Sequence, residues 1–251
     1  MRWLGSGGFG TPRREQERSL KHHSLLEKIE MRTITTVTLA LMLFTLSGCG
    51  DRDTSPRQPA ESQTTASAPK VDLHSAVVTD NLEAVRQHIE AGSDINVLEP
   101  SRASTPLITA AFLGKTEAAT LLIDAGADLN YQNVDGSTAL HTAAAFGKPE
   151  VAKILIDAGA DLNLQNNQGS TALHTAAFFC RVEIVEALLE KGADKTLKNK
   201  SEKTAYEIAT LPFEDLKGVY DAIGAGLKPL GLKLDYDRIK ATRPQIAKML
   251  K

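Results

Sequence analysis

Three histidines, His74, His141 and His174, and three aspartates, Asp128, Asp161 and Asp194, are the side chains that could hold a metal or move a proton. Imidazole and carboxylate groups are common zinc ligands, and paired carboxylates can divide acid and base roles. Their spacing argues against both chemistries. His141 and His174 lie 33 residues apart, as do successive members of the aspartate set. Groups repeated in register with a long period sit on successive stacked units, about 10 Å apart as packed helices are, which is too far to share one ion. Paired catalytic carboxylates would not normally repeat with a structural unit. The two cysteines, Cys49 and Cys180, imply no disulfide framework. The cluster Asp235-Tyr236-Asp237-Arg238 is read as a solvated helix start, with a C-terminal enzyme site kept as an alternative. The glycines between Gly5 and Gly10 lack a following Gly-Lys-Ser/Thr, and neither Gly-x-Ser-x-Gly nor His-Glu-x-x-His occurs. The chain shows no catalytic constellation and no cofactor motif.

The elements that carry these residues are repeated. Thr138-Ala139-Leu140-His141-Thr142-Ala143-Ala144 returns unchanged as Thr171 to Ala177. Thr105 to Ala111 is a variant of it 33 residues earlier, and Thr204-Ala205 begins another 33 residues later. Ile123-Asp124-Ala125-Gly126-Ala127-Asp128-Leu129-Asn130 likewise returns as Ile156 to Asn163. A fixed period in the low thirties marks a stacked repeat. Thr138 can cap an Ala-rich helix on which Leu140, Ala143 and Ala144 share a face, and Gly147 ends it. Pro149 suits the first turn of a second helix, with Val151, Ile154, Leu155 and Ala158 expected on its apolar face. Gly159 stops that helix, and Asn163 to Gly169 reads as a polar turn.

The T-[PA]-L-[HI]-x-A-A and G-A-D-L-N elements resemble those of ankyrin repeat proteins, over about residues 71–210. The resemblance implies an all-α repeat solenoid of helix-turn-helix units with hairpin loops, about four repeats long. It also implies that the repeated histidine hydrogen-bonds between the turns of neighbouring units and that the aspartates brace the loops. Leu73-His74-Ser75-Ala76 and Ala91 to Asn96 form a divergent first unit at a spacing of 34. Asp80 and Cys180 stand where glycine usually ends the first helix, and Cys180 is read as a small hydrophobe, not a reactive centre. Residues 211–251 are expected to be a helical C-terminal cap, which a solenoid needs over its last apolar flank. Within it Phe213, Leu216, Val219, Tyr220 and Ile223 share a helix face, and Thr242-Arg243-Pro244-Gln245 reads as the start of a last short helix.

The amino-terminal part is of another kind. Residues 1–30 are read as a mis-annotated extension, with translation beginning at Met31, or else as a long basic leader. Ile34 to Leu46 is an apolar run of 13 residues, too short to span a bilayer, which takes about 20. It suits a signal peptide over 31–48. Leu46-Ser47-Gly48-Cys49 resembles the lipobox of bacterial lipoproteins, which implies cleavage before Cys49, a lipid on its sulfur and acylation of the new terminus. The alternative is a cysteine placed there by chance. Residues 50–70 lack apolar periodicity and read as a tether with a reach of roughly 25 Å. With Gly50, not an aspartate, after the cysteine and Asp51 one place further on, the lipoprotein resemblance implies the outer membrane, facing the periplasm, more than the inner membrane.

Net charge is −2 over 251 residues, 42% of them hydrophobic and 5% aromatic. Residues 1–48 hold seven basic and four acidic side chains, which leaves a body of mildly acidic balance. That argues against nucleic acid as a partner. The informative positions are those the repeat leaves variable: Phe112 and Leu113 in unit two, Ala145 and Phe146 in unit three, Phe178 and Phe179 in unit four. Loop residues Tyr131, Val134, Leu164 and Asn167 add to them. Four of the seven phenylalanines fall at one repeat position or its neighbour. Contiguous aromatic surface is rarely left without a use. Alternatively, one phenylalanine of each pair packs between helices. The expected function is a non-enzymatic, monomeric, lipid-anchored module binding an unidentified protein in the cell envelope. An envelope immunity protein neutralising a toxin or enzyme, and a structural spacer, are the other readings.

Overall fold

The repeated threonines start the helices. Thr105, Thr138, Thr171 and Thr204 hold extended backbone, and each hydroxyl oxygen accepts the N–H three residues on. This satisfies one of the orphan donors of a helix start. At two of the starts histidine completes a reciprocal box. Nδ1 of His141 accepts the Thr138 N–H at 3.3 Å, and Nδ1 of His174 accepts that of Thr171 at 3.2 Å. Glu207 does the same for Thr204 at 2.8 Å.

The computed structural model describes residues 69–228 and 234–251, which form eleven helices and no strand. The readings placed on residues 1–68, including the signal peptide, Cys49 and nearly all of the tether, lie outside the described residues. The helices are α1 (Leu73–Val78), α2 (Leu82–Glu90), α3 (Pro106–Leu113), α4 (Thr116–Asp124), α5 (Ala139–Phe146) and α6 (Pro149–Asp157). They continue with α7 (Ala172–Phe178), α8 (Val182–Glu190), α9 (Ala205–Thr210), α10 (Phe213–Leu227) and α11 (Tyr236–Leu250).

Two rows of helices stack. The inner row is α1, α3, α5, α7 and α9, and the outer row is α2, α4, α6, α8 and α11; each helix packs on its neighbours in the row and on its partner across it. Leu73, Leu107, Leu140 and Leu173 are buried at the same inner position, with fully covered alanines at 110, 111, 143, 144, 176 and 177. The small alanines let the inner helices approach. The outer face differs from expectation by part of a turn. Val151, Ala152, Leu155 and Ile156 are buried in α6, while Ile154 is half-buried and Ala158 exposed. An outer helix touches its partner and two outer neighbours, so its buried arc is wider than one stripe. Ala158 is already the C-cap, where the chain turns away.

The far ends of the inner helices turn through one left-handed residue each: Asp80, Gly114, Gly147 and Cys180, with φ of 58°, 76°, 63° and 53°. The loops at the other end pair head to tail. Val134 N–H donates to Arg102 O at 3.1 Å, Asn167 N–H to Asp135 O at 3.0 Å, and Lys200 N–H to Gln168 O at 2.9 Å.

The C-terminal region departs most from the sequence reading. It is not a simple cap, since α11 packs on α8 and α9 as the outer helix of a fifth pair, and α10 is inserted before it. Nor is there a separate short helix at Thr242. Asp235 caps α11 by accepting the Arg238 N–H, and the helix runs through Pro244. Pro244 withholds its bond from Lys240, which is exposed to water, and the Thr242 hydroxyl donates back to Arg238 O at 2.6 Å. α10 likewise continues past Gly224 and Gly226, to Leu227.

Candidate interaction surface

The far ends of the inner helices carry two adjoining columns of side chains. Counted back from the left-handed turn, one column is Val78, Phe112, Ala145 and Phe178. The other is Thr79, Leu113, Phe146 and Phe179. The Phe112 and Phe146 rings meet edge to face with centroids 4.5 Å apart, so units two and three share one aromatic contact. Phe178 and Phe179 meet likewise at 5.0 Å. Together these make an apolar strip that crosses the stack.

Only part of the strip is open. Val78 is 52% exposed, and Phe112 and Leu113 are half-buried. Phe178 is half-buried, as Phe112 is, and Phe179 is buried, so in unit four one phenylalanine of the pair packs inside. Val219, Ile223 and Leu227 of α10 lie against Phe179, Phe178, Phe146 and Ala145. The Tyr220 ring stacks on Phe178 at 4.7 Å, and its hydroxyl donates to Phe178 O at 2.5 Å. The aromatic face of unit four is thus a seat for the chain's own helix.

Arg243 holds α10 and α11 in place. It is buried, and its guanidinium donates to Ile208 O at 2.7 Å and Leu211 O at 2.6 Å, carbonyls at the end of α9. A third bond goes to the Tyr220 hydroxyl at 3.1 Å. Burial pushes the Tyr220 phenol up from its ordinary value. Cys180 lies beneath, fully covered, and burial raises its thiol against the pull of Arg243, Arg238 and Arg181. It is a packing group and not a thiolate.

A row of cations flanks the strip. Lys115 pairs with Asp80 at 3.1 Å, the Lys148 side chain lies over Gly114, and Arg181 lies over Gly147. Arg181 donates to Ala145 O at 3.1 Å, and Arg238 donates to Cys180 O at 3.2 Å. Each reaches back to the end of the preceding inner helix, where the partial charge is negative.

The loop residues expected to bind form a second cluster. An inner helix of eight residues separates them from the strip by about 12 Å. Val134 is 58% exposed, and Val97 and Leu98 stand exposed in the preceding loop. Tyr131 packs half-buried against the core. Asn167 is exposed but uses its amide to donate to Val134 O at 2.8 Å, so it braces the neighbouring loop. Val78, Val97 and Leu98 escaped the sequence reading. Aligning the first unit at its 34-residue offset would have placed Val78 beside Phe112.

The histidines and aspartates are structural. With Nδ1 of His141 accepting from Thr138, Nε2 carries the proton and donates to Ser170 O at 2.9 Å in the next unit; His174 does the same to Lys203 O at 3.1 Å. Asn96, Asn130 and Asn163 accept the N–H of Asp128, Asp161 and Asp194, all at 2.9 Å. Each of these carboxylates accepts the N–H two residues on. Among the described residues no three His, Cys, Asp or Glu side chains are grouped to hold a metal ion, and no helix is long and apolar enough to cross a membrane.

The family model of ankyrin repeats (three copies) matches residues 73–166 and again 125–199, together about half of the chain. The chain belongs to the ankyrin repeat family. Ankyrin repeats are protein-interaction modules, and this places protein binding first among its roles. The chain is also similar to ARF GTPase-activating protein GIT1 of Homo sapiens, at 41% identity over 64 residues, and equally to the proteins of that name from Mus musculus and Rattus norvegicus. Those residues are 26% of this chain and 8% of each relative, so the match spans under a tenth of the relatives' length.

Proposed function

We propose that this chain is a non-enzymatic ankyrin module of the bacterial cell envelope that binds another protein along the open part of its apolar strip and is anchored by lipid on Cys49. The observation that carries the binding role is the half-open run Val78, Phe112 and Leu113, continuous through the Phe112–Phe146 contact with apolar surface that already holds a helix. A stacked core loses little conformational freedom on docking, so modest contact area suffices for binding. The anchor rests on Leu46-Ser47-Gly48-Cys49 at the end of an apolar run. Small residues before the cysteine admit a peptidase to the backbone, and several acyl chains give stable attachment where one gives marginal binding.

Two measurements test the halves separately. Full-length chain is used as bait in native envelopes beside the variant Phe112→Ser, Leu113→Ser, both shown folded by circular dichroism. A protein retained by the parent and lost by the variant supports the strip, and equal retention refutes it. For the anchor, Cys49→Ser is expected to shift the chain from the membrane to the soluble fraction. Membrane attachment at unchanged size would refute lipidation.

A further inference from the structure

α10 stands apart from the stack. Its sequence lies where the fifth outer helix should begin, yet α11 fills that place, and α10 crosses the inner-helix ends of units three and four instead. Its two halves are held differently. Leu216 and Tyr220 belong to a cluster with Cys180 and Ile239, and Tyr220 bonds both Phe178 O and Arg243. Asp221 still accepts from the Tyr236 hydroxyl at 2.8 Å; the half beyond it has only Ile223 and Leu227 on the strip and contains Gly224 and Gly226. Each helical glycine costs about 1 kcal/mol against alanine, so this half is the weaker part of the helix. The seat shows what the strip accepts, an apolar stripe at i, i+4 and i+8 (Val219, Ile223, Leu227); the paired acids of α10 lie elsewhere, Glu214 on Lys240 and Asp221 on Lys217 and Tyr236. The open half continues the same strip, and beside it Lys148 forms no ion pair among the described residues.

We propose that residues 222–227 are a detachable cover over Phe146 and Phe179, and that the occupant replacing them is an acidic amphipathic helix of a partner protein, laid from Phe146 along Phe112, Leu113 and Val78 beside Lys148. The proposal rests on the binding role assigned to the strip and deepens it. A cover tethered in the same chain competes at an effective concentration on the order of millimolar, so it sets a threshold that a partner helix must exceed. It also shields aromatic surface that would otherwise favour aggregation.

The probe is a labelled synthetic peptide of residues 213–227, titrated into full-length chain and followed by fluorescence anisotropy. Uncovering by Ile223→Ser with Leu227→Ser is expected to tighten peptide binding about tenfold or more over the parent. In that background Phe112→Ser and Lys148→Glu are each expected to weaken it about tenfold. Equal affinity in parent and uncovered chains overturns the cover, and indifference to both strip substitutions overturns the site. Sedimentation of the uncovered variant guards the choice of occupant: a stable dimer would mean that a second copy, not a partner helix, fills the strip. Hydrogen exchange on the unaltered parent needs no folded variant. Amides of 222–227 should exchange at least about tenfold faster than those of 217–221, and uniform protection across α10 contradicts detachment. If the peptide ignores the cover while envelope capture still depends on Phe112 and Leu113, the cover fails and the binding role stands.

Discussion

At the scale of single residues, the chemistry-bearing side chains are spent on structure. His141 and His174 each join a helix start to the next unit, and burial lowers the proton affinity of both rings. The unfolded chain therefore binds more protons in acid, and the stability these rings contribute is complete above about pH 6.5 and lost progressively as pH falls below it. Protonation would also put a donor on Nδ1, facing the Thr138 or Thr171 N–H it now accepts. The melting temperature should fall between pH 7 and pH 5, and fall less steeply in a His141→Gln, His174→Gln variant; parallel curves would refute this. Cys180 gives a second residue-scale test. Its φ of 53° is strained for any residue with a Cβ, a cost of roughly 1–2 kcal/mol. Cys180→Ala keeps that strain and loses the buried sulfur, whereas Cys180→Gly loses the sulfur and relieves the strain. Denaturant unfolding should find the glycine variant more stable than the alanine variant by about 1 kcal/mol.

At the scale of elements, the loops are held by close backbone approach. A Cβ at Gly136 would lie 2.7 Å from Asn167 N, while a Cβ at Gly126 would meet nothing within 4 Å. Both glycines have positive φ. Gly126→Ala should therefore cost only the left-handed penalty of about 1 kcal/mol, and Gly136→Ala at least about 1 kcal/mol more. Equal costs in urea unfolding would show that the loops do not bear on one another. Ala103 and Glu202 hold the same place in the flanking loops, with φ of 49° and 56°, so the close approach that demands glycine belongs to the loops of Gly136 and Gly169. Much at this scale was legible in the sequence. The 33-residue period, the Thr caps, Gly147 and Pro149 marked helix bounds that the structure repeats. What was not legible depends on contacts distant in sequence. The buried face of α6 is set by outer neighbours that periodicity within one helix does not see. Thr242-Arg243-Pro244-Gln245 has the pattern of a helix start, but Asp235 provides the start seven residues earlier and Arg243 is drawn inside to close α9. The apolar face of α10 was readable; its seat was not, because that required knowing that α11 takes the outer-helix place.

At the scale of the whole molecule, an ankyrin stack of five helix pairs presents an apolar strip that its own insertion half covers. The aromatic positions picked from the sequence divide accordingly. Phe112 and Leu113 remain half-open, Phe146 bridges, and Phe178 and Phe179 lie under α10. The rigid stack, the cation row and the partial cover are all consistent with a platform that receives one helical element at one end of its inner helices. Binding there would leave the outer helices free. The most direct test places a photo-activatable side chain at position 112 of the full-length chain, and separately at exposed Lys153 on α6, and irradiates native envelopes. The account predicts a discrete protein adduct from position 112 and none of that mass from position 153. The same adduct from both positions, or from 153 alone, would contradict it.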